Sequence, residues 1–268
     1  MTQKPPAHAE RYDTGVVVEQ GEGFKVFAGT ELSLNAPCFF HQFELPAKTT
    51  DHDRQLAVSV LKNYARLLFP HTPRLCDAWF ADGFLNAIEF KWPAPAFDRD
   101  LRNPMAGANP SARRDLFERT LRLMSAVHSC NIVHGRVTEK SFGADPASGA
   151  IYLLDSGLDW ALVRVLHRAR DSFSLQEKLQ ARDLADWAFA FLSLQHGSVL
   201  YETPENDTWD QVDFKEVENR LQRDFKSGEL AGFFLDCLGA FGIGATKYES
   251  ATEALEFWER KNLKGLFR

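Results

Sequence analysis

Four side chains in two short stretches carry most of the chemistry this chain could offer. His134, Arg136 and Ser141 lie within Asn131-Ile132-Val133-His134-Gly135-Arg136-Val137-Thr138-Glu139-Lys140-Ser141. Asp155 lies within Ile151-Tyr152-Leu153-Leu154-Asp155-Ser156-Gly157-Leu158. Arginine stays protonated, so Arg136 cannot act as a general base. Ser141 offers a neutral hydroxyl, a weak ligand for Mg²⁺. Asp155 is a carboxylate that either binds a metal ion or is neutralised by a nearby cation. A second grouping lies upstream, in Gly21-Glu22-Gly23-Phe24-Lys25-Val26-Phe27. Glycines such as Gly21 and Gly23 let a backbone approach phosphates closely, and Lys25 could neutralise them. A plain β-turn followed by a solvated lysine explains the same residues.

The order of these stretches resembles that of eukaryotic-like protein kinases, and of bacterial Ser/Thr kinases in particular. Kinases carry His-Arg-Asp after an apolar pair, an Asn downstream, and then a strand leading to Asp-Phe-Gly. Here His134 keeps the first position, Arg136 stands for the catalytic Asp and Ser141 for the metal-binding Asn. Asp155 and Gly157 flank Ser156. Gly21 to Phe27 is similar to a Gly-rich nucleotide loop short of its third glycine. Pro37-Cys38-Phe39-Phe40-His41 is similar to the strand ending in the phosphate-pairing lysine, which puts His41 in that place. A half-buried strand histidine is the plainer reading of His41. No acidic residue occurs from Arg54 to Cys76, where the glutamate partner of that lysine belongs.

Further matches extend the resemblance over about residues 15 to 260. Arg182-Asp183-Leu184-Ala185-Asp186-Trp187 resembles the start of the buried central helix. Asp183, with Asp186 second, is expected to accept hydrogen bonds from the loop backbone. Lys247 stands for an arginine that pairs with the glutamate of Ala-Pro-Glu, and no Ala-Pro-Glu occurs between Asp155 and Asp183.

The resemblance implies a two-lobed α+β fold, with a small β-rich N-lobe and a larger, mainly helical C-lobe. The expected division is a disordered stretch 1–10, an N-lobe 11–92 and a C-lobe 93–268. It also implies a pseudokinase with little or no phosphotransferase activity, acting as a protein-binding scaffold or regulator. Arg136 and Asp155 are expected to form an ion pair across a vacated metal site. No catalytic residue, metal or required cofactor is then expected; ATP, if bound at Gly21, Gly23, Lys25, His41 and Asp155, should be weak and Mg²⁺-independent. Two alternatives remain open. With-no-lysine kinases use a lysine at the loop position of Lys25, so an atypical active transferase could use Lys25 and Asp155. An ATP-binding sensor without turnover is the other.

Composition is compatible with these expectations. The chain has 268 residues, 44% hydrophobic and 12% aromatic, which favours a folded globule. A net charge of −6 without a dense basic run argues against nucleic-acid partners. No apolar run reaches the roughly 20 residues of a membrane span, and residues 1–10 lack the apolar core of a signal peptide. Four widely spaced cysteines, Cys38, Cys76, Cys130 and Cys237, read as reduced thiols of a cytoplasmic protein.

The elements that must position these groups follow from periodicity and punctuation. Val16–Val18, Lys25–Ala28, Cys38–Phe43, Arg74–Phe80 and Phe84–Phe90 read as strands, the last two joined at Asp82-Gly83. Leu56, Val60, Leu61, Tyr64, Leu67 and Leu68 recur at helical spacing over Asp53–Leu68. Pro93 and Pro95 mark a linker. A helix opens at Asn109-Pro110, with Leu116, Leu121, Leu123, Met124 and Val127 as its apolar side. The chain from Asp155 to about Arg170 reads as irregular. Leu184–Leu194 reads as a buried helix, followed by helices near 214–225, 230–238 and 250–261, the last with a Ser250/Glu253 capping box.

Overall fold

The computed structural model describes residues 11–92, 110–145, 147–167, 176–196, 214–225, 227–241 and 247–263. The expected disordered stretch 1–10 and the linker at Pro93 and Pro95 lie outside them. The chain is mixed α+β and divides into two compact units. One comprises Met1–Pro93 and Asp155–Ser174, the other Ala94–Leu154 and Leu175–Arg268. Among the described residues, no helix is long and apolar enough to cross a membrane.

The first unit is built on an antiparallel sheet of β1 (Tyr12–Gly21), β2 (Phe24–Glu31), β3 (Ala36–Glu44), β4 (Arg74–Ala81) and β5 (Phe84–Phe90). The strand order is β1-β2-β3-β5-β4. Asp82 and Gly83 both have positive φ, 51° and 81°, which suits the tight β4–β5 turn foreseen there. Strand alternation sorts the side chains. Tyr12, Cys38, Phe40 and Ile88 form an apolar cluster with Phe27, Trp79 and Phe90. His41 lies opposite both Val26 and Ala87, and Phe39 opposite Glu89. Val26, Phe39, His41, Ala87 and Glu89 therefore share the other face.

Helix α1 (Asp51–Tyr64) starts at Thr50, whose side chain exchanges capping bonds with Asp53. It ends four residues before the expected Leu68. Pro70 disfavours helical backbone at Phe69, and the chain turns away in short bonds such as Leu67 N–H to the Tyr64 carbonyl, 3.0 Å. Leu67 is still buried, whereas Leu68 is exposed.

The stretch after Asp155 is not irregular. It forms helix α3 (Leu158–His167), numbered after α2 (Pro110–Ser129) of the second unit. Leu158, Leu162, Val165 and Leu166 recur at helical spacing and are buried, and Asp159 sits favourably in the first turn. Helix α3 packs against α1 and β3.

The second unit holds α2, the short antiparallel pair β6 (Phe142–Ala144) and β7 (Ile151–Leu153), α4 (Gln176–His196), α5 (Phe214–Asp224), α6 (Gly228–Cys237) and α7 (Ala251–Arg260). The apolar side foreseen for α2 is buried, as are Leu184–Leu192 of α4. Phe117 of α2 is the centre of an aromatic core. Its ring lies 4.6 Å from Phe191, 4.8 Å from Trp187, 5.3 Å from Phe234 and 4.3 Å from Trp258. Ser250 caps α7 through the Glu253 N–H, but the box is not reciprocal. The Glu253 carboxylate accepts from the Glu249 N–H at 2.9 Å instead.

Candidate functional site

In the second unit, the loop after α2 is held by one carboxylate. Asp183 of α4 is 1% exposed. It accepts hydrogen bonds from the His134 N–H at 2.6 Å and the Gly135 N–H at 2.7 Å. These are the bonds expected of Asp183 rather than Asp186. Gly135 has φ 84°, a left-handed turn that suits glycine and aims its N–H at the carboxylate. His128 supports the same group. Its Nδ1 accepts from the Ala251 N–H at 2.8 Å, which leaves Nε2–H to donate to Asp183 at 3.3 Å. Gln180 Nε2 donates to the carbonyls of His128 and Ile132.

The groups at the reactive positions of this loop do other work. Ser141 is buried. Its hydroxyl accepts from the Thr138 N–H at 3.0 Å, closing a reciprocal cap over residues 138–141. Arg136 is exposed. Lys247 pairs with Asp236 at 2.5 Å, giving it a partner within its own unit. Asp183→Asn is expected to cost about 1–3 kcal/mol, because an amide cannot accept all three donors. Urea unfolding checks this, and an unchanged midpoint would show that the loop is held by other means.

In the first unit, a buried polar network centres on His41. The imidazole is fully buried. Nδ1 lies 2.7 Å from Asp159 Oδ1, and Nε2 lies 3.4 Å from Glu89 Oε2. The second contact is ionic rather than a well-aligned hydrogen bond. Lys91 Nζ reaches Glu89 Oε2 at 3.1 Å, and the Ser156 hydroxyl donates to Glu89 Oε1 at 2.6 Å. Asp155 accepts from the Gly157 N–H at 2.9 Å.

Burial opposes the charge on His41, but Asp159, then Glu89, outweigh it and push the imidazole up to about 9. Burial likewise opposes the charge on Glu89, but Lys91, His41 and the Ser156 hydroxyl bring it down to about 2. Lys91 resists burial and is held charged by Glu89, Asp155 and Asp159. Asp155 therefore has Lys91 as a cation acting on it within its own unit, whereas the sequence pointed only to Arg136. Glu19, exposed on β1, is raised by partial desolvation and then by the charges of Asp159 and Asp155. Two cations, His41 and Lys91, thus face four carboxylates, Glu19, Glu89, Asp155 and Asp159, an excess of two negative charges.

The remaining candidates do not join this network. Gly21 and Gly23 belong to the β1–β2 hairpin, where Gly21 pairs with Phe24. A Cβ on Gly21 would meet the Phe24 ring at 2.1 Å, and one on Gly23 the His167 ring at 2.5 Å. The space the glycines leave is occupied by the chain's own rings. Lys25 is exposed and neighbours Val26 in β2, so alternation turns it to the face opposite His41.

Asp159, Glu89, Lys91 and His167 were not singled out from sequence. A glutamate inside the apolar run Phe84–Phe90 was the available signal, since an unpaired charge there would be costly. Among the described residues, no cluster of three or more His, Cys, Asp or Glu side chains could hold a metal ion. The chain matches no protein-family model, and no curated protein matches it.

Proposed function

We propose that the chain is a pseudokinase: a kinase-like framework with little or no phosphotransferase activity that serves as a protein-binding scaffold or regulator. The observation that carries this reading is the state of His41. At the position where the resemblance puts a phosphate-pairing lysine, the chain has a buried imidazole already paired with Asp159 and Glu89. The excess of carboxylates around it opposes an anionic ligand, since like charges at close range cost energy in a poorly solvated site. The Asp183 bonds to the loop backbone support the kinase-like framework. Arg136 and Ser141 at the base and metal positions support the loss of chemistry, because phosphoryl transfer depends on positioned metal, base and phosphate clamps.

Calorimetric titration with ATP, with and without Mg²⁺, together with an autophosphorylation assay, tests the reading. We expect no transfer, and binding far weaker than 1 μM, about −8 kcal/mol, with little dependence on Mg²⁺. Mg²⁺-dependent turnover abolished by Asp155→Ala would establish the transferase that uses Lys25 and Asp155. Tight ATP binding without turnover would establish a sensor.

A further inference from the structure

We propose that helix α3 is a built-in latch that covers the His41 face of the sheet and opens as a unit, without unfolding the sheet itself. This rests on the geometry of the first unit alone and is independent of the kinase resemblance.

Both ends of the helix are tied to the sheet by separate contacts. At the N-terminal end, Asp159 bonds His41 of β3 at 2.7 Å, and Ser156, just before the helix, bonds Glu89 of β5 at 2.6 Å. At the C-terminal end, the His167 ring occupies the space over Gly23 that any Cβ would fill. Between them, Leu158, Leu162, Val165 and Leu166 supply a buried apolar stripe.

These attachments differ in kind from those of the strands. The strands are joined by backbone ladders, regular in β2–β3 and β3–β5 and interrupted by register shifts in β1–β2 and β4–β5. Helix α3 is joined to them only through side chains among the contacts described above. Elements held by side-chain packing, here on α1 and β3, open at lower free energy than ladder-bonded cores. The charged groups facing the latch are His41 of β3, Glu89 of β5, Lys91 beyond it, Glu19 of β1 and Asp155 ahead of the helix. When α3 lifts, Asp159 leaves and the buried His41 and Glu89 become open to solvent.

Hydrogen–deuterium exchange on the full chain tests this. In Asp159→Asn, the α3 amides should exchange faster by about tenfold or more, while those of β3 and β5 keep their protection. Ser156→Ala, which removes a single hydroxyl, should give a smaller acceleration with the same selectivity. If α3 exchanges in step with β3 and β5 in the wild type and both variants, the helix opens only with the sheet and the latch does not exist. If neither variant changes α3, the side-chain ties named here do not hold it.

Discussion

Replacing Glu89 by alanine will destabilise the first unit by about 3–5 kcal/mol, the cost of removing one side of a buried ion pair. Glu89 is 1% exposed and is the carboxylate on which His41, Lys91 and Ser156 converge. Its loss leaves the buried His41 and the half-buried Lys91 with fewer counter-charges and a buried hydroxyl without its acceptor. Glu89→Gln should cost less, since an amide oxygen can still accept from Ser156. The size of the effect says nothing about whether the network is net stabilising, because a well-packed apolar replacement can equal a buried pair. Urea denaturation of wild type, Glu89→Gln and Glu89→Ala checks the ordering. A midpoint for Glu89→Ala within error of wild type would mean that water or a neighbour replaces the carboxylate freely.

The strands and most helices were legible because their signals are local. Phe84–Phe90 and the Asp82-Gly83 turn follow from alternation and from residues that tolerate positive φ. The α2 side from Leu116 to Val127 follows from helical spacing. The Asp183 bonds to the loop were legible through resemblance, since the motif fixes which side chain meets which backbone groups. Helix α3 was missed although its spacing was present. Leu158, Leu162, Val165 and Leu166 carry that spacing over only ten residues. The pairing of His41 with Asp159 was not legible. Asp159 lies 118 positions from His41, and nothing local in either stretch marks the other. The glycines misdirected for a related reason. Sequence shows where a Cβ is missing, but not whether a phosphate or the chain's own Phe24 and His167 rings fill the space.

Raising the pH from 6.5 through about 9 will progressively remove stability that the His41 network contributes at neutral pH. The imidazole has its ordinary value of 6.5 in the unfolded chain and about 9 in the folded one. A folded value above the unfolded one means the native state binds the proton more tightly. The contribution is therefore complete below pH 6.5 and is lost as pH rises through about 9. The interval corresponds to on the order of 3 kcal/mol, at about 1.4 kcal/mol per unit. Glu89 acts at the opposite end. Its folded value of about 2 lies below the ordinary 4.5, so its contribution is complete above pH 4.5 and is lost as pH falls toward 2. Between about pH 4.5 and 6.5 both contributions are whole, and the network stabilises most there. Denaturation midpoints across pH 5 to 9.5 should fall on the alkaline side in the wild type. In His41→Gln the protein should be less stable throughout, but the decline between 6.5 and 9 should be much shallower, since the titrating group is gone. Parallel curves for the two proteins would show that His41 is not the group whose proton is linked to folding.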